Sequence, residues 1–312
     1  MKTLHVILLM CFCHQDISAQ IQGRPFVSGG YRTAAQEVPW HVGVYKKTTK
    51  SYKQICGGTI ITKNAILTAA HCFSADRNIP SAHGFAVAAG KLYRNWNDPN
   101  DTRVQKANVS EIHIPPRYQG SLANFQDDLA LALLDRNFTF NLNVEPVCLN
   151  FLQNFDRDQL KEGQLGKVVG WGLTGPNENP PKVLQAAMLP SIPIEKCIEQ
   201  SPVTFRSSIT GDKICAGHTN GTAVCRGDSG GGLVFSLTIR NSRRNYLRGV
   251  VSTSPTSSNK CNIYTWATFT HVPRHEAFIK SIVPDVEKSC VTQNLNYQGQ
   301  TKEPTGACYC PC

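Results

Sequence analysis

The chain has 312 residues, of which 41% are hydrophobic and 17% are charged, and it contains 24 glycines and 18 prolines. This composition excludes a disordered chain, a collagen and a coiled coil, and it is typical of a loop-rich, strand-rich globule. The net charge of +10 is accompanied by no zinc-finger spacing and no RNA-binding aromatic pattern. We therefore do not expect nucleic acid as a partner.

Residues 1–19 are typical of a secretory signal peptide. Lys2 precedes an apolar stretch over residues 6–12, and the small residue Ala19 precedes the predicted cleavage site. The apolar stretch is too short to span a bilayer, and no later segment has the ~20 apolar residues that a membrane helix needs. We therefore expect a secreted, extracellular protein with no membrane partner.

After the signal peptide, the sequence pattern predicts short strands separated by turns. A segment over residues 20–26 is followed by β-type runs at residues 86–89, 129–134, 168–169 and 247–251. Convincing helical periodicity is found only late, at about residues 274–283, before Pro284. Short strands in this number indicate an all-β sandwich or barrel fold, in which a long connection near residues 147–167 separates two similar units.

Cysteines point to an oxidising compartment. Of 13 cysteines, Cys11 and Cys13 leave with the predicted signal peptide, so an odd number remains for pairing. Residues 290–312 form a polar, Cys-rich tail that ends in Cys308, Cys310 and Cys312. No second group of ligands accompanies these three residues, so we expect a disulfide-tied tail and no metal site.

Three short segments carry the chemistry. Residues 68–72 contain His71, residues 128–131 begin with Asp128, and residues 227–231 are Gly-Asp-Ser-Gly-Gly around Ser229. Peptide hydrolysis needs a nucleophile, a base that takes its proton, and an acid that holds the base in the right tautomer. The order His, Asp, Ser supplies these groups and argues against an α/β-hydrolase, in which Ser comes first.

With these segments and Gly-Trp-Gly at residues 170–172, residues 27–289 resemble the chymotrypsin-like serine proteases. The resemblance implies an all-β fold of two six-stranded antiparallel Greek-key β-barrels, over about residues 27–145 and 146–275, with a C-terminal helix at about residues 274–283. It implies a serine-type endopeptidase without a cofactor, whose partners are a protein or peptide substrate and a protein inhibitor. Residues 249–255, 261 and 269–272 look most like those of arthropod modular serine proteases.

The resemblance also assigns catalytic roles. Ser229 would be the nucleophile, His71 the general base and then acid, and Asp128 the buried carboxylate that orients His71. The backbone N–H groups of Gly227 and Ser229 would form the oxyanion hole. Asp127 is adjacent, but the acid of the family directly precedes an apolar-Ala-Leu strand, which selects Asp128. An inactive homologue that serves as a binding or cofactor protein typically lacks the nucleophile, and Ser229 is present.

Members of this family are made as zymogens with a new N-terminus of a small hydrophobic residue followed by X-Gly-Gly. Residues 27–30, Val-Ser-Gly-Gly, match this pattern, so the resemblance predicts cleavage after Phe26 and an ion pair between the Val27 ammonium and Asp228. The alternative is a constitutively active enzyme in which Val27 only opens a loop. Arg24 precedes Pro25, which makes a trypsin-like activator a poor candidate.

Alignment to the Gly-Asp-Ser-Gly-Gly motif places Ala223 at the base of the specificity pocket, where trypsin-like members carry Asp. We therefore expect an apolar pocket, with Ser252, Ser254 and Ala267 in its walls and Phe125 restricting the neighbouring subsite. Such subsites accept Leu or Phe preceded by Pro.

Residues 25–26 are Pro-Phe, which is such a sequence, so we hypothesise self-activation. The alternative is a separate chymotrypsin-like or elastase-like activator.

The family resemblance implies three disulfides: Cys56–Cys72, Cys197–Cys215 and Cys225–Cys261. The partner of Cys148 is left open between Cys290 and a tail cysteine. A calcium loop would use Asp98 and Asp101, but Lys91 stands where calcium-binding relatives carry a carboxylate. We therefore expect these two acids to be solvated.

The sequence also contains four candidate glycosylation sites and two basic loops. Four Asn-X-Ser/Thr sequences predict glycosylation at Asn100, Asn108, Asn137 and Asn220. Two basic loops predict either solvated faces or an exosite for an anionic ligand. The basic residues are Lys46, Lys47, Lys50, Lys53, Arg240, Arg243, Arg244 and Arg248.

Overall fold

The computed structural model describes residues 30–74, 78–173, 179–257, 260–290 and 293–294. The predicted signal peptide, the segment over residues 20–26, Val27 and the three tail cysteines lie outside the described residues, as does the side chain of Cys261.

The first half of the chain forms a closed barrel of six antiparallel strands. Strand β1 (Tyr31–Arg32) precedes it. The barrel strands are β2 (His41–Lys47), β3 (Tyr52–Ile60), β4 (Ala65–Thr68), β5 (Phe85–Ala89), β6 (Gln105–His113) and β7 (Ala130–Leu134). Their order is β2-β3-β4-β7-β6-β5, and β5 closes the barrel by pairing with β2. Its small and β-branched side chains, such as Val42, Val44 and Val87, fill a fully buried interior.

The second half forms another closed six-stranded barrel. Its strands are β8 (Leu165–Gly170), β9 (Gln185–Ile192), β10 (Lys213–Ala216), β11 (Gly232–Ile239), β12 (Ser242–Thr253) and, after two short strands, β15 (Ala267–His271). The ring runs β8-β9-β10-β15-β12-β11 and returns to β8. The short strands β13 (Thr256–Ser257) and β14 (Lys260–Cys261) pair with each other, while β1 adds to β9 and β16 (Gln293–Asn294) to β12. The predicted two-barrel fold class is confirmed.

Four helices lie outside the barrels in the described residues: α1 (Gln153–Gln159), α2 (Ile194–Gln200), α3 (Val203–Arg206) and α4 (Glu276–Ile282). The last continues a 3₁₀ turn over Val272–His275 and is the C-terminal helix that the sequence predicts. Helix α1 lies in the connection between the barrels and buries none of its residues, so its sequence has no apolar face to detect. Within the described residues, no helix is long and apolar enough to cross a membrane.

Three disulfides join described residues: Cys56–Cys72, Cys197–Cys215 and Cys148–Cys290. The first two are those that the family resemblance implies. The third selects Cys290 as the partner of Cys148 and ties the connection between the barrels to the region after helix α4. Cys225 is also disulfide-bonded.

The two barrels share one apolar core, which positions the segments between them. Trp40, Leu67 and Leu131 from the first half pack in the same cluster as Trp171 and Val250 from the second. At this junction the N–H of Gly57 in β3 donates to the carbonyl oxygen of Ser229 at 2.8 Å. The predicted catalytic segments therefore meet at the barrel interface.

Candidate active site

His71 and Asp128 are brought together by the pairing of two strands of the first barrel. His71 lies in a 3₁₀ turn directly after β4, Asp128 lies two residues before β7, and Thr68 of β4 pairs with Ala130 of β7. His71 Nδ1 lies 2.8 Å from Asp128 Oδ2, and the backbone N–H of His71 donates to Asp128 Oδ1 at 3.0 Å. The carboxylate thus holds both the ring and the main chain of His71.

Asp128 is fully buried, and four interactions stabilise its charged form. Burial by itself raises the pKa of this carboxyl group, but the charge and the hydrogen bond of His71, the nearby Lys213 ammonium and a hydrogen bond from Ser252 lower it to about 2. Ser252 Oγ donates to Asp128 Oδ2 at 2.6 Å, and the hydroxyl of Thr270 donates to the backbone carbonyl of Asp128 at 2.9 Å. Asp128 is therefore ionised at neutral pH.

Burial and the Asp128 carboxylate act on the pKa of His71 in opposite directions. Burial lowers the pKa of its imidazole, the charge and hydrogen bond of Asp128 raise it, Lys213 lowers it, and the net result is a raised pKa. A carboxylate that favours the imidazolium form is the arrangement required of a base that must accept a proton during a reaction.

The neighbouring acid Asp127 points away from His71. Its carboxylate contacts His275 Nε2 at 3.2 Å and Arg117 Nε at 3.0 Å, and its backbone N–H donates to Asp212 at 2.9 Å. The structure therefore places Asp128, and not Asp127, against His71.

Ser229 lies half-buried in the turn that precedes β11. Ser229 and His71 line the same cavity, whose volume is about 430 Å³. In the described part of the chain, the N–H groups of Gly227 and Ser229 donate to no protein acceptor. Gly227 has φ +103° and lies against Gly172, so that a Cβ would approach the Gly172 Cα to 3.0 Å. Only glycine fits here without strain, and both N–H groups remain able to bind an oxyanion.

Asp228 is buried beside Ser229 and has only backbone donors around its carboxylate. Gly172 and Cys225 donate their N–H groups to it at 2.8 and 3.0 Å. Burial raises the pKa of Asp228 to about 6, and these two hydrogen bonds offset only part of the effect. Within the residues that the structure describes, no cation pairs with this carboxylate.

The predicted specificity residues lie on the second barrel and beside His71. Ala223 and Ala267 are buried, and Ser254 Oγ donates to the carbonyl oxygen of Val224 at 3.3 Å. The Phe125 ring stands edge-on to His71 with 6.0 Å between ring centroids. The side chain of Ser252, which we expected in the pocket wall, is directed to Asp128 instead.

The structure corrects two expectations about charged residues. Arg248 is fully buried, where it donates to Asn150 at 2.7 Å and pairs with Asp156, so it is no part of an exposed basic loop. Asp101 is not a solvated loop acid, because its carboxylate pairs with the buried Lys91 ammonium at 2.6 Å. In both cases a buried cation pairs with a carboxylate within the fold.

The four predicted glycosylation positions differ in accessibility. Asn100, Asn137 and Asn220 are exposed. Asn108 is half-buried on β6, and its amide nitrogen, the atom that would carry a glycan, donates to Asp135 Oδ2 at 2.8 Å.

Sequence reasoning missed Lys213. This side chain is fully buried behind Asp128 and donates to the carbonyl oxygen of Phe125, the hydroxyl of Thr270 and the carboxylate of Asp212, at 2.7, 3.0 and 3.2 Å. No local pattern marks it, because a lysine on a strand is ordinarily read as exposed.

Comparison with known proteins identifies the family to which the chain belongs. The family model described as trypsin matches residues 27–274. The chain is 35% identical over 247 residues to clotting factor C of Tachypleus tridentatus, which covers 77% of this chain and 24% of that protein. It is 30% identical over 279 residues to modular serine protease of Drosophila melanogaster, covering 86% and 42%. It is 31% identical over 272 residues to melanization protease 1 of Drosophila melanogaster, covering 82% and 65%.

The chain thus spans about a quarter of the length of clotting factor C and less than half of modular serine protease. The resemblance to chymotrypsin-like and arthropod modular serine proteases is confirmed. The chain belongs to the trypsin family, and the domain that the family model matches is that of a serine-type endopeptidase.

Proposed function

We propose that the protein is a secreted endopeptidase in which Ser229, His71 and Asp128 act together. The observation that carries this proposal is the 2.8 Å contact between His71 Nδ1 and Asp128 Oδ2 beside a cavity that Ser229 shares. The contact is the one that a catalytic histidine needs from its orienting acid, and the shared cavity puts Ser229 on the same surface as His71.

In this proposal the reaction has two halves. Ser229 Oγ attacks the carbonyl carbon of the scissile bond while His71 Nε2 takes the hydroxyl proton. His71 then gives this proton to the leaving nitrogen, the C–N bond breaks, and the acyl group stays on Ser229. Water attacks the acyl-enzyme by the same route, which releases the acid and restores Ser229. The N–H groups of Gly227 and Ser229 stabilise the oxyanion in both halves, and removal of one such donor typically costs about 3 kcal/mol.

The specificity pocket accepts apolar residues in this proposal. Ala223 at its base offers no charge to a substrate Arg or Lys, and Ser254 and Ala267 narrow the walls. Phe125 beside His71 limits the neighbouring subsite and gives a face against which Pro packs. We propose cleavage after Leu or Phe.

Cleavage after Phe26 would activate the enzyme. The buried Asp228 carboxylate, with two backbone donors and a raised pKa, supports this step because a Val27 ammonium would supply the missing positive charge. Residues 25–26 suit the proposed pocket, so we propose that the protein activates itself.

Protein substrates and a protein inhibitor are the partners that go with the proposed endopeptidase activity. The exposed Lys46, Lys50 and Lys53 on the hairpin of β2 and β3 would serve as an exosite for an anionic partner.

The test compares the purified full chain with its Ser229→Ala variant. Both are incubated, sequenced at the N-terminus and assayed on peptides that end in Phe, Leu, Ala or Arg. A wild type that begins at Val27 and cleaves after Phe or Leu, next to an uncut variant, supports self-activation and the apolar pocket. Preference for Arg overturns the pocket assignment. Absence of cleavage and of labelling by a serine-directed reagent, even after Val27 is exposed by another protease, overturns the catalytic proposal.

A further inference from the structure

The cavity beside Ser229 has an apolar interior. Its lining combines the proposed catalytic groups with Ile55, the Cys56–Cys72 disulfide and the largely buried rings of Phe73 and Phe85. Phe73 and Phe85 contact each other edge-to-face with 4.9 Å between ring centroids. The volume of about 430 Å³ accommodates one or two side chains of a bound peptide.

The position of this cavity indicates on which side of the scissile bond a substrate would bind in it. The walls include Gly227 and Ser229, whose N–H groups would hold the scissile carbonyl oxygen. They do not include Ala223, Ser254 or Phe125, which we assign to the acyl side of the scissile bond. A substrate chain that enters this cavity from the scissile carbonyl therefore runs on the leaving-group side.

The exposed charged side chains in the described lining of the cavity are both positive. Its described lining contains two exposed cations, Lys46 and Arg226, and no carboxylate. Lys46 pairs across the strands with Phe85 on one side and with Lys53 on the other, so the aromatic wall continues directly into a basic hairpin. Lys47 and Lys50 follow on the same hairpin.

We propose that Lys46 and Arg226 determine specificity on the leaving-group side, where the enzyme prefers an apolar residue followed by acidic residues. The apolar side chain fills the space against Phe73 and Phe85, and the carboxylates lie at the cationic rim. This inference rests on the proposed endopeptidase function. Exposed ion pairs are individually weak, so we expect about a fivefold preference for each acidic residue in place of a lysine, and a smaller one at high salt.

The test uses the activated full-length enzyme and three substrates with the same acyl side ending in Phe. One peptide continues with Leu-Glu-Glu, a second continues with Leu-Lys-Lys, and the third is a p-nitroanilide with no residue after the scissile bond. The enzymes are wild type, the charge-reversal variant Lys46→Glu/Arg226→Glu, and the matched control Lys63→Glu/Lys182→Glu, whose positions are exposed and lie outside the cavity. Each kcat/KM is divided by that of the same enzyme on the p-nitroanilide.

We expect wild type and control to prefer the Glu-Glu peptide by more than tenfold, and the charge-reversal variant to prefer the Lys-Lys peptide. Equal rates on the two peptides, with p-nitroanilide hydrolysis intact, overturn this inference alone. A preference that persists unchanged in the charge-reversal variant also overturns it. Absence of p-nitroanilide hydrolysis by wild type overturns the proposed function and this inference with it.

Discussion

Lys213 Nζ lies 2.7 Å from the carbonyl oxygen of Phe125. The same buried ammonium donates to the hydroxyl of Thr270, which in turn donates to the carbonyl oxygen of Asp128. One lysine thus connects the residue proposed to limit a substrate subsite with the acid that orients His71. The intervening loop needs such support, because Phe125 has a φ of +57°, which is unfavourable for an aromatic residue.

We expect Lys213→Met to lower both stability and activity. The variant leaves Asp212 largely buried without its ammonium, a loss typically of about 3–5 kcal/mol in the free energy of unfolding. Loss of the Phe125 and Thr270 contacts displaces the catalytic loop and should lower kcat/KM by about 10- to 100-fold. Urea unfolding and steady-state kinetics measure the two effects.

The double variant Lys213→Met/Asp212→Asn separates the two roles of Lys213. It removes the unpaired charge and should recover most of the free energy of unfolding without recovering kcat/KM, because the Phe125 and Thr270 contacts are still missing. Full recovery of activity would show that Lys213 only neutralises Asp212.

Asp128→Asn should slow the enzyme and shift its pH profile. The charge and hydrogen bond of Asp128 raise the pKa of His71 against the opposite effect of burial, so their removal lowers this pKa. His71 must be neutral to accept a proton, and the acidic limb of kcat/KM should therefore move to lower pH. The rate at neutral pH should fall by about 10⁴-fold, because the imidazole of His71 is also no longer held in the tautomer that leaves Nε2 free to accept a proton. A limb that stays in place would argue against the assigned contact.

Asp228 should make the stability of the uncleaved protein depend on pH. This carboxyl group ionises near its ordinary pKa of 3.8 in the unfolded chain, whereas burial raises the pKa to about 6 in the folded chain. Between these values the unfolded state releases a proton that the folded state keeps. Asp228 therefore leaves the free energy of unfolding unchanged below pH 4 and lowers it by up to roughly 3 kcal/mol above pH 6.

The measurement is urea unfolding of Ser229→Ala with and without Asp228→Asn, at pH 4 and pH 7. The Asn variant should gain stability relative to its parent at pH 7 only. After cleavage at Phe26 by an added protease, the same substitution should become destabilising, since the Val27 ammonium then has no partner. A stability difference that is the same at both pH values would contradict the prediction.

Ala223→Asp should convert the preference of the pocket. Ala223 is buried, so a carboxylate there pairs with a substrate Arg or Lys and is left unpaired beside Phe or Leu. We expect the ratio of cleavage after Arg to cleavage after Phe to rise by at least about 100-fold. Peptide assays measure this ratio, with Ala223→Ser as the control of similar size and no charge. An unchanged ratio would remove Ala223 from the pocket base.

Much of the fold was predictable because strand patterns are local. The β-type runs at residues 86–89 and 168–169 lie within β5 and β8, and the helix at the C-terminus has a buried Ile279 on its apolar face. Helix α1 was missed, since a helix that buries no residue has no apolar periodicity. Arg248 was misjudged for a related reason: the alternation of β12 does not reveal that this long cation is buried and pairs with Asp156 of helix α1.

The sequence by itself determined the reaction class, because the motifs around His71, Asp128 and Ser229 are short segments whose residue types are dictated by the chemistry. Only the tertiary structure decided which residues pack against these three segments. Thr270 and Lys213 reach the acid-bearing loop from 142 and 88 residues away along the chain. Lys46, Phe85 and Arg226 line one cavity only because two strands and a loop converge. Hydrogen bonds and burial act through space, so pKa values, positioning contacts and cavity walls exist only once the barrels have closed.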